Sequence, residues 1–336
     1  MPRFRIRLCW LLLLFLPRKS HDQAQGAGKS ESFRGSKAWD PSNRDTCDRG
    51  GLQKYVSKQN LLCLLGFLDT LLPVRVEILS HSPLLLRFHR VLSPGDCEEA
   101  QHFQTSSAPA SVQSRQWNRT QEISEVRVVN GTWLDLYHPS AVKLTSLVEK
   151  LIGIDTDWAE NWQFLFYGKG GHYAPHYDYL EVPRRGSWLV RKLTDIHGFT
   201  QECWHKAATW PMYLRCMFIW IRHSLWRNLS GECPCECPLY LSMPEEGGGT
   251  LFQKLGFSVT PAQGDALFWF DSLATGELES RTLHGGCPVY QGKKALATIW
   301  VRTRGQELQL TCDRGRLDYS LHSFRSGIMK HFAQYS

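Results

Sequence analysis

The chain has no apolar run long enough to cross a lipid bilayer. The two stretches that raise the question are residues 8–16, nine in number, and residues 210–226, which carry Arg215 and Arg222; a spanning helix needs roughly 20 apolar residues. Long basic runs and zinc-finger spacing are also missing. The net charge of +7, from 39 basic and 32 acidic residues, is therefore a mild surface bias, and nucleic acid is not an expected partner. No internal repeat or heptad is present, which excludes a solenoid and a coiled coil.

What is present suits one substantial core. With 336 residues, 42% hydrophobic and 12% aromatic, a single principal domain with an extension is expected. Arg3, Arg5 and Arg7 precede the apolar residues 8–16, and Pro17-Arg18-Lys19 follows. This is the layout of a signal peptide over residues 1–19. Three glycosylation sequons, at Asn118, Asn130 and Asn228, and eleven cysteines agree with a glycoprotein of the endoplasmic reticulum lumen. The chain closes on Gln334-Tyr335-Ser336 without a Lys-Asp-Glu-Leu type signal, so residence there calls for a partner. Residues 20–45 are polar and rich in Ser, Gly, Gln and Lys, and a flexible segment is expected.

The fold is expected from Cys47 onward. Residues 74–92 read as extended and run into a helix start at Ser93-Pro94-Gly95-Asp96. Residues 141–152 place Val142, Leu144, Leu147, Val148 and Leu151 at helical spacing, which predicts a helix covering a sheet. Short aromatic and β-branched runs at 164–167, 250–253, 266–270 and 295–301, separated by Gly and Pro turns, predict strands of a double-sheet barrel.

The chemistry begins at His172-Tyr173-Ala174-Pro175-His176-Tyr177-Asp178. Side chains two apart on a strand share a face, so His176 and Asp178 can point into a barrel together. A second imidazole from another strand would complete a facial triad of two histidines and one carboxylate on Fe(II), leaving positions open for an oxo-acid and dioxygen. His284, in Thr282-Leu283-His284-Gly285-Gly286-Cys287, is the candidate. Lys294 heads an apolar strand ten residues later, and a buried lysine there needs an anion such as the distal carboxylate of 2-oxoglutarate.

In residues 167–178, 239–252 (LYLSMPEEGGGTLF), 264–270 (GDALFWF), 284–294 and Gly305-Gln306-Glu307, the sequence resembles the catalytic domain of collagen prolyl 4-hydroxylase α subunits. The resemblance implies a mainly β fold with flanking helices, the double-stranded β-helix or jelly roll, over residues 46–313, followed by a C-terminal tail at 314–336. It implies an iron(II) and 2-oxoglutarate dependent dioxygenase that hydroxylates peptidyl proline at C4, with L-ascorbate as reductant. The metal ligands fall on His176, Asp178 and His284, the 2-oxoglutarate lysine falls on Lys294, and Tyr173 and Trp300 match positions lining the peptide site. Implied partners are a proline-containing peptide or procollagen, and protein disulfide isomerase as β subunit. Disulfides Cys287–Cys312 and Cys47–Cys63 are implied in the same way.

Three features depart from that family. The match begins without the long N-terminal region of the α subunits. Arg302 stands where a histidine is common. Residues 185–238 form an atypical insertion, expected to loop out, to displace a strand bearing a substrate-contacting arginine and to weaken peptide hydroxylation. Its Cys-Pro-Cys-Glu-Cys run lacks a partner set at zinc spacing. The alternatives are a dioxygenase for another peptide, or a catalytically impaired isoform acting as a binding protein.

Overall fold

A computed structural model of the chain describes residues 32–49, 63–67, 73–109, 112–114, 121–178, 235–274, 278–302, 306, 318–324 and 326–335. The signal-peptide segment, the sequons at Asn118 and Asn228, and Cys312 lie outside the described residues; Asn130 is exposed. The strands are β1 (Cys63–Phe67), β2 (Pro73–His81), β3 (Leu84–His89), β4 (Ala108–Pro109), β5 (Val112–Ser114), β6 (Gln121–Ile123), β7 (Arg127–Val128), β8 (Asn130–Leu134) and β9 (Trp162–Tyr167). They continue as β10 (His172–His176), β11 (Cys235–Ser242), β12 (Glu246–Gly247), β13 (Thr250–Phe252), β14 (Phe257–Val259), β15 (Ala266–Phe270), β16 (His284–Gly286), β17 (Val289–Gln291) and β18 (Lys294–Val301).

Two antiparallel sheets form a jelly roll. The larger has the order β1-β2-β3-β15-β11-β18-β9-β8-β4, and the smaller β14-β13-β16-β10-β7. The period-2 pattern of the central strands divides the interior into two layers. From β9, β11, β15 and β18, the side chains of Trp162, Phe164, Leu239, Phe268, Ile299 and their alternates meet Leu144, Val148 and Leu151 of the helix Pro139–Ile152. The intervening residues, Leu165, Tyr167, Tyr240, Leu267, Trp269 and Leu296, face the smaller sheet and pack on Phe252, Phe257 and Val259.

The helix after Ser93 starts where the sequence suggests, and the one expected over 141–152 begins two residues earlier, at Pro139. Ser93 and Asp96 form a reciprocal capping box at Pro94–Gln101, Ser93 Oγ accepting from the Asp96 N–H and the Asp96 carboxylate accepting from the Ser93 N–H. Pro139–Ile152 opens with Pro in its first turn and ends at Gly153, whose φ of 68° is the left-handed conformation that favours glycine. Val142 is 49% exposed, so it lies on the solvent side of the helix while Ala141 and Ile152 take core positions.

Four expectations need correction. The polar segment 20–45 is structured in its latter part: Trp39 is buried against His172, and the helix Pro41–Arg49 follows. One aromatic anchor offsets an otherwise polar composition there. The expected tail also folds back, with Leu321, Phe324, Ile328, Met329 and Phe332 completing the layer that holds the helix. Residues 179–234 lie outside the described residues, but Cys235 to Pro238, assigned above to the insertion, belong to β11 and pair with both β15 and β18; Leu239 and its neighbours are thus flanked on both sides. Finally, Cys47 is bonded to Cys287, 240 residues away, so neither implied disulfide forms. The helix Pro41–Arg49 packs on β13 and β14 and carries Cys47 to the strand that bears His284.

Candidate metal centre

Strands β10 and β16 lie side by side, and His176 faces His284 across the pair. Each imidazole is fixed in the same manner. Nδ1 of His176 is 2.8 Å from the Ala174 carbonyl, and Nδ1 of His284 is 2.9 Å from the Thr282 carbonyl. A carbonyl only accepts, so Nδ1–H donates in both rings and Nε2 is the nitrogen turned to the interior, where it offers a lone pair whenever the ring is neutral. Asp178, just past the end of β10, places Oδ1 3.3 Å from Nε2 of His176 and Oδ2 3.7 Å from Nε2 of His284. One donor atom from each residue lies within 4.8 Å of the others.

Packing holds this cluster in place. The Trp300 indole N–H donates to Oδ2 of Asp178 at 2.6 Å. The Tyr173 ring stacks on His176 with centroids 3.5 Å apart, and Trp269 lies 4.8 Å from His284. Lys294, at the start of β18, is 2% exposed and lines the same pocket, its ammonium 5.3 Å and 5.5 Å from the Tyr167 and Tyr240 rings. Among the described ion pairs none involves it. Five of the six residues singled out from the sequence, Tyr173, His176, His284, Lys294 and Trp300, line one pocket, and the sixth, Asp178, lies against His176 and His284.

The charges are unusual. Burial alone would raise the Asp178 carboxyl, but His176 and His284 outweigh it and hold it well below the usual carboxylate range. Burial would lower His284; hydrogen bonding and charge from Glu236, then Asp178 and Asp271, push it up to about 10. Burial, only partly offset by Glu236, brings Lys294 down to about 7. Burial together with Asp178 raises Glu236 to about 7, and burial raises Asp271 well above its ordinary value. The buried carboxylates Glu236 and Asp271 and the partly buried Asp178 beside two imidazoles suit an added cation, and two nitrogens with one oxygen form the donor set of a divalent first-row metal such as Fe(II). The residues fit the ion.

Glu236, Asp271 and Arg127 were not anticipated. Glu236 lies inside the segment read as insertion, although Glu236, Pro238 and Tyr240 alternate with Cys235, Cys237 and Leu239 as a strand requires. Arg127 lines the pocket, donates to Gln163 Oε1 at 2.7 Å and lies over the Tyr173 ring. His172, by contrast, is structural: its ring nitrogens are bonded to the carbonyls of Gly170 and Glu125. Arg302 is ion-paired with Glu160.

No family model matches the chain. Curated relatives do. Over 245 residues, 72% of this chain, it is 30% identical to prolyl 4-hydroxylase subunit alpha-3 of Rattus norvegicus, and over 249 residues it is 26% identical to subunit alpha-1 of Mus musculus. The chain is a homologue of the prolyl 4-hydroxylase alpha subunits. The match spans 38% and 40% of those two relatives' lengths. Among solved structures, the viral collagen prolyl hydroxylase of Paramecium Bursaria Chlorella virus-1, in its 2OG complex, is 19% identical with a TM-score of 0.41, over 65% of this chain and 95% of that one. In this prolyl 4-hydroxylase homologue, His176, Asp178, His284 and Lys294 come from β10, β16, β18 and the residues just beyond β10, at the centre of the jelly roll.

Proposed function

We infer that this chain is an iron(II) and 2-oxoglutarate dependent dioxygenase that hydroxylates peptidyl proline at C4. The observation that carries this reading is the convergence of His176, Asp178 and His284 in one pocket with a buried lysine that lacks a described ion-pair partner. When bound, iron(II) with 2-oxoglutarate would direct dioxygen as the oxidant, one of its oxygen atoms going to the succinate formed as carbon dioxide leaves and the other to proline C4. The chain's own residues do the rest. His176 and His284 are oriented by their carbonyl bonds, Asp178 is held by Trp300, and Lys294 meets the distal carboxylate of the co-substrate. Tyr173 and Trp300, with the exposed Trp133 ring 6.1 Å from Trp300, give an aromatic approach for a proline ring, which offers apolar CH surface to aromatic faces.

Residence in the endoplasmic reticulum lumen is part of the same reading, supported by the leader-like residues 1–19 and the Cys47–Cys287 bridge. Ascorbate as reductant, procollagen as substrate and protein disulfide isomerase as partner are carried by the family relationship alone.

Mass spectrometry of a Pro-Pro-Gly repeat peptide incubated with iron(II) and 2-oxoglutarate tests the reading. The expected product gains one oxygen on proline, and His176→Ala loses it. Succinate release without peptide oxidation would keep the co-substrate and remove the proline substrate; neither product would end the reading.

A further inference from the structure

Asn130-Gly131-Thr132 is the sequon that falls within the described residues, at the start of β8. β8 pairs with β9 in continuous register, Asn130 opposite Phe166, Thr132 opposite Phe164 and Leu134 opposite Trp162. Residues directly opposed in a ladder share a face, and Phe166, Phe164 and Trp162 belong to the helix-side layer. Asn130 and Thr132 therefore stand on that side of the larger sheet. Gly131 and Trp133 alternate with them: Gly131 is opposite Leu165, which lines the pocket, and Trp133 lies beside Trp300. The Asn130 side chain is turned away from the pocket and from its aromatic approach.

The fold makes little use of that side chain. Asn130 is exposed, and among the described residues neither its carboxamide nor the Thr132 hydroxyl makes a hydrogen bond. On its other flank Asn130 is opposed by Pro109 of β4, the last strand in the order of the larger sheet, and both residues of β4 are exposed. A substituent on Nδ2 thus leaves at the rim of the sheet without displacing a core residue. Asn and Gly are depleted in strands, and positions that break local propensity without a structural return mark functional use.

We propose that Asn130 is an N-glycosylation site, occupied by an oligosaccharide on the helix-side rim of the larger sheet. This rests on the lumenal reading of residues 1–19 and goes beyond it by fixing the acceptor. In the transfer, a bond forms between Asn130 Nδ2 and C1 of the first sugar of a lipid diphosphate-linked oligosaccharide. The C1–O bond to the diphosphate breaks, the lipid diphosphate leaves with that electron pair, and Nδ2 gives up one proton. Thr132 supplies the hydroxyl that the sequon requires two residues after Asn. Because the glycan leaves on the face opposite the pocket, it obstructs neither the metal site nor the approach past Trp133 and Trp300.

The full chain is expressed in secretory cells in two forms, one with its own residues 1–19 and one with those residues replaced by an established signal peptide. Peptide N-glycosidase in water enriched in heavy oxygen converts each glycosylated asparagine to a heavy aspartate, which mass spectrometry of tryptic peptides assigns to its position. The heavy label is expected at position 130 in both forms. Thr132→Ala should lose it, and Thr132→Ser, which keeps the hydroxyl, should retain it; loss in both variants, or in neither, would mean that the sequon is not what is read. Label at position 130 with the replaced leader alone keeps the site and removes the lumenal reading of residues 1–19. Asn130 unlabelled in both forms overturns the site, and label at Asn118 or Asn228 with the chain's own leader would then leave the lumenal reading standing.

Discussion

Lys294 carries the most informative charge in the pocket. A lysine that burial brings to about 7 is largely neutral at pH 8, whereas one paired with a dianion is charged. Binding 2-oxoglutarate at pH 8 to metal-loaded protein should therefore take up a proton, approaching one per ligand. Calorimetry in two buffers of different ionisation enthalpy measures this, and equal uptake in Lys294→Met would show that another group is responsible. The sign also bears on folding. Between about 7 and its ordinary value near 10.5, the folded chain binds fewer protons at this residue than the unfolded one, so this contribution to stability rises with pH. Trp300 acts differently, through Asp178. Its indole N–H on Oδ2 fixes the carboxylate, and Trp300→Phe, which keeps an aromatic ring without that donor, should weaken divalent-metal binding about 10- to 100-fold. An unchanged metal affinity would mean the bond does not orient the ligand. These residues were legible because His-x-Asp, His284 and Lys294 stand in long, specific motifs. Glu236 was not, because the Cys-Pro-Cys-Glu-Cys run drew attention to its cysteines and its two-residue alternation was overlooked.

At the scale of elements, the helix Pro139–Ile152 separates pattern from packing. The spacing of residues 141–152 identified the helix, yet it could not say how wide the buried stripe is. Val142 sits at its margin and is 49% exposed, while Leu151 is fully buried between helix and sheet. Leu151→Ala should destabilise the fold by about 2–5 kcal/mol, and Val142→Ala by no more than about 0.5 kcal/mol. Urea unfolding monitored by tryptophan fluorescence distinguishes them; comparable losses would place Val142 in the core. Strand limits were legible to within a residue or two for β9, β13, β15 and β18, whose aromatic and β-branched runs are bounded by turn residues. The start of β11 was missed by four residues, since cysteine and proline are poor markers of a strand. The bridge Cys47–Cys287 was illegible for a different reason. Sequence does not encode which of several cysteines meet, and the partner was chosen by how the helix Pro41–Arg49 docks on the smaller sheet.

For the whole molecule, the decisive question is what the long connection between β10 and β11 does to the barrel. Its ends, Asp178 and Glu236, meet at His284, whose Nε2 lies 3.7 Å from Oδ2 of Asp178 and 3.2 Å from Oε2 of Glu236. β11 is held on one side by β15 and on the other by β18. The fold therefore supports β11 through its neighbours. A chain in which residues 179–234 are replaced by a flexible linker of about 14 residues should keep its metal affinity. It should also gain about 1 kcal/mol of stability, since two halvings of a loop change its closure term by about 0.6 kcal/mol each. Peptide hydroxylation is the separate readout. If the connection obstructs the peptide, turnover rises while metal and 2-oxoglutarate affinities stay the same. If metal affinity itself falls on shortening, residues within 179–234 contribute to the centre, and the independence of β11 from its connection is wrong.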